Sequence, residues 1–391
     1  MTPFDPGDRD FLADPYPTFA ALRADAPVHH HPQLGIPVAV SHAACSEVLR
    51  GRDLGRIWVD KEPTAELPAF NLLHRNSILE REGESHDRLR RLVAGAFNRG
   101  HTARLEPTVR ALAQRLVTDL VDRIRADGSA DLMSGVAAVL PVEVIAELLA
   151  VPEPERSALR GWSNTIVTMY EADPGRVRRA DAERAAAEFV AALRELADHR
   201  SRHPGDDLIS DLLEADLDAD ELVGTAALLL MAGHEATVNV IGNGVLALLR
   251  HPAQWERLRA DPGLDTTAVE ELIRYDAPLQ LFERTAVADV VVAGHPVPAG
   301  TKIAALLGAA ARDPDVFDRP DELDVGRRPN PHLGFGAGVH YCLGAPLARV
   351  EVAATLDALR TTLPDMQLAD EPLRRPDFVM RGLRELRLAG G

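Results

Sequence analysis

The residue whose type and setting point most directly to chemistry is Cys342, in the glycine-rich segment Phe335-Gly-Ala-Gly-Val-His-Tyr-Cys-Leu-Gly344. A helix-forming run, Ala345 to Val350, follows the cysteine directly. The dipole and free N–H groups of a helix N-terminus favour the thiolate, and glycines let a flat group approach the backbone. A thiolate in this setting can hold haem iron and push electron density toward O–O cleavage. The alternative is an inert cysteine buried in a glycine-rich turn.

The spacing F-x-x-G-x-x-x-C-x-G resembles the haem loop of the cytochrome P450 monooxygenases. The resemblance implies haem b with Cys342 as the axial thiolate and metal ligand. It places Phe335, Gly336 and Gly344 in the cofactor-binding loop, with Phe335 shielding the thiolate.

A second segment, Glu271-Leu-Ile-Arg274, puts an acid and a base three residues apart, on one helix face. Such a pair is often a solvated surface pair of little energetic value. The segment resembles the E-x-x-R helix of the same family. The resemblance implies a buried structural pair that fixes the chain behind the haem.

Four cationic or imidazole side chains could bind the two haem propionates, because guanidinium and imidazole groups donate directionally to carboxylates. His86 and Arg90 resemble the H-x-x-x-R of an early helix in the family. Arg284 and His340 match the arginine after the E-x-x-R helix and the histidine of the cysteine loop. Taken singly, each is more typical of an ordinary surface residue.

The segment Ala232-Gly-His-Glu-Ala-Thr237 resembles the oxygen-activation segment of the family. The small residues Ala232 and Gly233 would open a groove for dioxygen, and Glu235 would be the acid that relays protons. The family usually has threonine where this chain has Ala236. One helical step turns a side chain by about 100°, so Thr237 should not simply substitute. Water could supply the missing hydroxyl, or the substrate could; both readings stay open.

The resemblance also implies a substrate pocket that is mostly apolar with one amide, which suits a bulky hydrophobic molecule. Its residues would be Leu228, Met231, Ala232, Gln280, Leu281, Phe282, Val379 and the loop near Ile57 to Ile78. A polyketide, macrolactone or terpenoid is expected. The runner-up within the family is a cyclic dipeptide or an aromatic substrate for oxidative coupling.

The elements that must position these residues are mostly helical. Apolar residues recur at helical spacing from Val109 to Ile124, and Asp218 to Arg250 reads as one long helix with an apolar middle. Strands are predicted at Pro37–Val40, at Val290–Val292 and His295–Val297 as a hairpin, at Thr301–Leu307 and at Leu383–Leu388. The predicted fold is mainly α with small β-sheets (α+β): a cytochrome P450 fold with a long central helix over the haem, in a single domain over residues 1–391.

The net charge and the number of cysteines limit the classes of function that the chain can have. The net charge of −17 argues against bulk nucleic-acid binding. With two cysteines, Cys45 and Cys342, the chain cannot hold an iron–sulfur cluster that needs four. Two electrons would therefore come from a separate ferredoxin and ferredoxin reductase using NAD(P)H, with Arg88 and Arg91 expected in a basic docking patch.

The N-terminus has no basic segment followed by an apolar run, so no signal peptide is predicted. The longest apolar stretch, Thr225 to Gly233, is far shorter than the roughly 20 residues of a membrane span. A cytoplasmic protein is therefore expected, without membrane or nucleic-acid partners. A monomer is the default expectation.

The function implied is a monooxygenase of secondary metabolism that uses dioxygen to hydroxylate or epoxidise a hydrophobic small molecule. The alternatives are an oxidative-coupling enzyme, a peroxide-driven peroxygenase, which Ala236 would permit, and a non-catalytic haem sensor or carrier.

Overall fold

The structure, a computed structural model, describes residues 4–97, 100–170 and 175–390, with side chains described at all of these except 96, 97 and 234. The helices are α1 (Arg9–Ala13), α2 (Tyr16–Asp25), α3 (His42–Arg50), α4 (Pro68–Arg75), α5 (Gly83–Phe97), α6 (His101–Asp127), α7 (Leu140–Leu148), α8 (Glu153–Val167), α9 (Gly175–Arg202), α10 (Leu208–Glu214), α11 (Ala219–Arg250), α12 (Pro252–Ala260), α13 (Asp265–Tyr275), α14 (Leu307–Ala310) and α15 (Ala345–Thr362).

The strands are short, which is consistent with a mainly helical chain. They are β1 (Val28–His31), β2 (Ile36–Ala39), β3 (Leu54–Gly55), β4 (Ala130–Asp131), β5 (Leu281–Ala286), β6 (Val290–Val292), β7 (His295–Val297), β8 (Lys302–Leu306), β9 (Met366–Leu368), β10 (Leu373–Arg374), β11 (Leu383–Glu385) and β12 (Arg387–Gly390). The predicted fold class, mainly α with small sheets, is confirmed.

The chain forms two compact units. The first contains the described residues of Met1–Gly55, Val109–Leu140 and Ala236–Gly391, and the second contains those of Arg56–Thr108 and Pro141–Glu235. The single domain over residues 1–391 stays a prediction.

The first unit is built on a five-stranded sheet with the strand order β1-β2-β8-β5-β3. The β2–β8 pair is parallel, whereas β5 pairs antiparallel with both β8 and β3. Apolar side chains cover both faces of this sheet: aromatic residues of α1 and α2 pack on one face, and α3 packs on the other. The sheet therefore gives β5, which carries Arg284, a rigid support.

In the second unit, α8 and α9 pack against each other, and α9 also packs against α4. Leu67, at the N-cap of α4, offers no side-chain oxygen, so the free N–H groups of the first turn need another acceptor. Glu183 of α9 supplies it: its two carboxylate oxygens accept from Ala69 N–H and Phe70 N–H, both at 2.9 Å. This contact fixes the segment that begins near Ile57.

Most of the predicted elements are present. The hairpin has the predicted bounds, and α11 begins one residue later than expected. The predicted last β element is divided between β11 and β12, and β5 was not predicted. Within the described chain, no single helix has the length and hydropathy to cross a membrane; the helix pair Met133–Leu148 and Glu153–Tyr170 reaches both only when taken together.

Candidate functional site

The cysteine loop is closed by its own backbone. Cys342 N–H donates to the Phe335 carbonyl at 2.9 Å, and α15 begins three residues after the cysteine with Gly344 as its N-cap. The Cys342 side chain is partly exposed. The structure therefore holds the sulfur at a helix N-terminus on a loop of fixed shape, as the sequence predicts.

Two glycines leave the backbone of this loop bare, and one of them cannot be replaced by a larger residue. Gly338 has φ +73°, and a Cβ there would lie 2.7 Å from the Leu49 carbonyl oxygen, which is too close for any side chain. Gly344 has an ordinary φ, and a Cβ on it would lie 4.0 Å from the sulfur of Cys342. The backbone beside the sulfur is therefore bare.

This setting fits a haem. A bare backbone beside a partly exposed thiol leaves room for a flat macrocycle, and the thiol is a soft ligand for iron. The other cysteine does not fit: Cys45 is buried, its S–H donates to the Ala39 carbonyl at 3.1 Å, and burial raises the pKa of its thiol. Of the two thiols, only Cys342 is placed to hold iron.

Arg284 and His340 lie in the same unit as Cys342. Arg284 is buried on β5, where it donates to the Glu283 carbonyl at 2.9 Å and its guanidinium carbon lies 5.7 Å from the centroid of the Phe282 ring. His340 ends a short 3₁₀ turn that begins at Gly338. Their binding to propionates stays a prediction.

His86 and Arg90 lie in the second unit, one turn apart on α5 and so on one helix face. His86 is buried, with Nδ1 3.3 Å from the Asp87 carboxylate. Their predicted role as propionate ligands also remains untested.

The pair Glu271–Arg274 is fully buried, with both side chains 0% exposed. Arg274 donates Nε and Nη2 to the two oxygens of Glu271, each at 2.7 Å. The sequence did not reveal a third member: Arg327 also donates Nε to Glu271 at 3.0 Å. Arg274 Nη1 donates to the carbonyls of Ala311 and Pro320 at 2.8 and 2.7 Å, so the pair fixes the irregular chain before the cysteine loop.

The oxygen-activation segment lies within α11. Glu235 is buried, Ala232 is exposed and Ala236 is partly exposed. A Cβ on Gly233 would lie 3.2 Å from the Ile145 side chain, so the helix packs closely there. The side chain of His234 lies outside the described residues.

Thr237 has a partner that the sequence did not indicate. Its hydroxyl hydrogen-bonds the carboxyl group of Glu351 on α15, and both side chains are buried. Burial raises the pKa of Glu351 to about 8, against the lowering effect of the Thr237 hydrogen bond. The only sequence signal was an acid among the apolar positions of a helix, between Val350 and Val352.

Three residues of the predicted substrate pocket, Gln280, Leu281 and Phe282, lie at the start of β5 or just before it. Leu281 and Phe282 are neighbours on β5, so their side chains point to opposite faces. Leu281 packs into the core around Phe11 and Phe19, whereas Phe282 packs against the core on the other face.

Gln280 is 1% exposed, and its amide donates to the Ala277 carbonyl at 2.7 Å. A Cβ on Gly308 would lie 2.0 Å from the Gln280 side-chain oxygen, so this amide packs against the bare backbone of Gly308. Gln280 and Leu281 are therefore packed against protein on these sides, and their place in a substrate pocket stays a prediction.

The other predicted pocket residues differ in burial. On α11, Leu228 is partly exposed and Met231 is buried, whereas Val379 packs at the edge of the core that holds Leu281. Their role in a pocket remains a prediction.

The loop near Ile57 to Ile78 contains an aromatic stack that the sequence did not predict. The His74 ring stacks on both Trp58 and Phe70, with centroids 4.8 and 4.1 Å away, and the Trp58 and Phe70 centroids are 6.1 Å apart. Its Nδ1 lies 2.7 Å from the Phe70 carbonyl, and its Nε2 lies 2.9 Å from the Tyr170 hydroxyl. Burial lowers the pKa of His74 to about 4, so the imidazole is neutral.

The structure describes both arginines of the expected basic docking patch, Arg88 and Arg91. Arg88 donates to the Glu221 carboxylate and, at 2.8 Å, to the Asp216 carbonyl. Arg88 therefore forms an ion pair with the buried Glu221 while its own side chain stays 38% exposed, and its place in a docking patch stays a prediction. Arg91 is exposed.

Comparisons with known proteins identify the same family that the cysteine loop resembles. The sequence profile of the family Cytochrome P450 matches residues 264–361. Cytochrome P450 monooxygenase PikC of Streptomyces venezuelae is 39% identical over 396 residues, covering 97% of this chain and 91% of the relative. Polyketide biosynthesis cytochrome P450 PksS of Bacillus subtilis is 32% identical over 403 residues, covering 98% and 97%.

A solved structure is also similar to this chain over nearly its full length. P450BioI in complex with an acyl carrier protein ligated to hexadec-9Z-enoic acid has a TM-score of 0.91 at 35% identity, covering 98% of this chain and 100% of that one. Similarity over nearly the full length, in sequence and in fold, shows that this chain belongs to the cytochrome P450 family and is a haem-thiolate monooxygenase of that family.

Proposed function

We propose that this chain hydroxylates or epoxidises a bulky hydrophobic product of secondary metabolism, with Cys342 as the axial ligand of its haem. The observation that carries the proposal is the partly exposed thiol on its closed loop, with bare backbone at Gly344 beside it. Haem held by a thiolate activates dioxygen, places one oxygen atom in the substrate and releases the other as water, using two electrons and two protons.

The chain's own residues would orient and protect this chemistry. Phe335 would shield the thiolate, and the buried Arg284 would hold a propionate. Glu235 would move protons, and the hydroxyl that Ala236 lacks would come from water or from the substrate. Thr237 is a poor substitute, because its hydroxyl already bonds Glu351.

A polyketide, macrolactone or terpenoid is the proposed substrate class. The relative PksS is named for polyketide biosynthesis, and the P450BioI structure holds an acyl carrier protein. A substrate tethered to a carrier protein is therefore included in the test. The electron donor proposed is a separate ferredoxin with its reductase, and the location proposed is the cytoplasm.

The first test is an optical titration of the ferric protein with macrolactones, terpenoids, fatty acids, cyclic dipeptides and acyl thioesters of a carrier protein. A low-to-high-spin change with polyketide-type or terpenoid ligands supports the proposal. A response to cyclic dipeptides alone would favour oxidative coupling. Product formed with peroxide alone, and not with a ferredoxin system, would favour a peroxygenase. Binding without turnover under either condition would favour a sensor or carrier.

The ligand assignment has a matched control within the chain. Cys342→Ser should abolish the thiolate signature of the ferrous–CO spectrum, whereas Cys45→Ala should keep it, because the Cys45 thiol is fully buried and bonded to the Ala39 carbonyl. A retained thiolate spectrum in Cys342→Ser would refute the assignment.

A further inference from the structure

Phe335 is held through its backbone and through its ring. Its backbone carbonyl accepts from Cys342 N–H, and the guanidinium carbon of Arg349 lies over its ring, 4.5 Å from the centroid. A planar cation over an aromatic face is attracted by the ring quadrupole. Phe335 thus connects Arg349 of α15 to the cysteine loop.

Arg349 is itself fixed by Glu270 of α13. Nε and Nη2 of Arg349 donate to the two carboxylate oxygens of Glu270 at 2.6 and 3.1 Å, a bidentate geometry that sets the plane of the guanidinium. Nη2 also lies 3.4 Å from the Tyr341 hydroxyl, one residue before Cys342.

A histidine completes the support. Gly334 N–H donates to His332 Nδ1 at 3.1 Å, so the proton of a neutral His332 lies on Nε2, which donates to Glu270 at 3.0 Å. Burial opposes ionisation of Glu270, but hydrogen bonds from His332 and Arg349 lower its pKa to about 2. Glu270 is therefore a carboxylate with both oxygens engaged.

We propose that Arg349 is a positioning residue: clamped by Glu270, it holds the Phe335 ring against the cysteine loop and so sets the reduction potential of the iron bound by Cys342. The inference rests on the proposed role of Cys342. A fixed ring keeps water away from the sulfur, and water that hydrogen-bonds a thiolate ligand makes its iron easier to reduce. The charge of Arg349 alone would act in the opposite direction, since losing a nearby cation makes reduction harder.

Arg349→Lys separates the effect of the ring position from the effect of the charge. Lysine keeps the positive charge but lacks the planar guanidinium that stacks on the ring. We expect the ratio of ferrous to ferric holoprotein at a fixed solution potential to rise about threefold, the size of a half-exposed cation–ring contact. Arg384→Lys is the matched control, since Arg384 is exposed on β11. It should leave the ratio unchanged.

A double-mutant cycle tests the route through the ring. Phe335→Leu should raise the ratio by itself, and Arg349→Lys should add nothing in that background. A ratio in Arg349→Lys equal to that of wild type, or additive effects in the cycle, would overturn the inference. A wild-type ferrous–CO spectrum without thiolate ligation would instead overturn the proposed function, and the inference with it.

Discussion

The hydroxyl of Thr237 and the carboxyl of Glu351 form a buried hydrogen bond between α11 and α15. Thr237 follows the position where the family usually has threonine, and Glu351 lies on the helix that begins at the cysteine loop. With its pKa raised by burial to about 8, Glu351 is mostly protonated at neutral pH. The Thr237 hydroxyl, which is next to Ala236 in sequence, is therefore hydrogen-bonded to a buried acid.

Glu351 should make the protein less stable as pH rises. The pKa of this carboxyl is about 8 in the folded state against an ordinary value of 4.5, so the folded state holds the proton more tightly. Its contribution to the free energy of unfolding is complete below pH 4.5 and is lost as pH rises through 8, at up to about 1.4 kcal/mol per pH unit.

Glu351→Gln keeps the shape and the neutral state, so it should remove this loss. We expect the variant to unfold at a higher temperature than wild type at about pH 9 and at a similar one at about pH 5. Glu195→Gln, on the exposed face of α9, serves as the control. Parallel pH profiles for wild type and Glu351→Gln would contradict the prediction.

Removing Glu271 should be among the most destabilising single changes in the first unit. Its carboxylate accepts from Arg274 and Arg327, both buried, and also from Asp324 N–H at 2.9 Å. Glu271→Ala leaves these guanidinium groups without their counter-ion, at a cost of about 3–5 kcal/mol.

The exposed pair Arg319–Glu322 offers a direct comparison, since Glu322→Ala should cost less than about 1 kcal/mol. Thermal unfolding and the yield of folded protein measure both variants. Equal unfolding temperatures for Glu271→Ala and Glu322→Ala would show that the buried network has no special weight.

Local patterns made much of this structure predictable. The cysteine loop, the hairpin of β6 and β7, and α11 are each determined by residues close in sequence: glycines with positive φ, turn residues between short β-branched runs, and a long apolar repeat. The pairing of Glu271 with Arg274 follows from their helical spacing.

The features that could not be predicted depend on contacts between residues far apart in sequence, or on a strand whose alternating side chains were not recognised. Nothing near Glu351 in the sequence indicates that Thr237 is its partner, and nothing near Arg88 indicates Glu221. Gln280, Leu281 and Phe282 were assigned to the pocket through the family resemblance. Because no strand was predicted at β5, the alternation of Leu281 and Phe282 between opposite faces was not foreseen.

His74 should titrate well below the usual range of histidine. In the folded state its pKa is about 4, because burial outweighs the favourable hydrogen bond to the Phe70 carbonyl. A lowered pKa means that the stabilisation it provides is complete above pH 6.5 and is lost as pH falls through about 4.

Fluorescence of Trp58, which stacks on the His74 ring, reports this protonation. The signal is the difference between the protein and its Trp58→Phe variant, which removes the contribution of Trp162 and Trp255. We expect a transition near pH 4 that disappears in His74→Gln. A midpoint near 6.5 would mean that the imidazole is solvated and the stack is open.

Ala236→Thr tests whether the missing hydroxyl limits the enzyme. Ala236 is partly exposed on α11, so a threonine there can be accommodated, whereas the hydroxyl of Thr237 is engaged by Glu351. For ligands without a hydroxyl of their own, the new group should hold a proton-donating water in place and raise the fraction of consumed reducing equivalents recovered in product.

Ala236→Val, of similar shape without the hydroxyl, is the control and should show no gain. The measurement is product formed per NAD(P)H oxidised, with the ligand that the titration identifies. Identical coupling in Ala236→Thr and Ala236→Val would show that ordered water already supplies the proton, and that the departure at this position has no mechanistic weight.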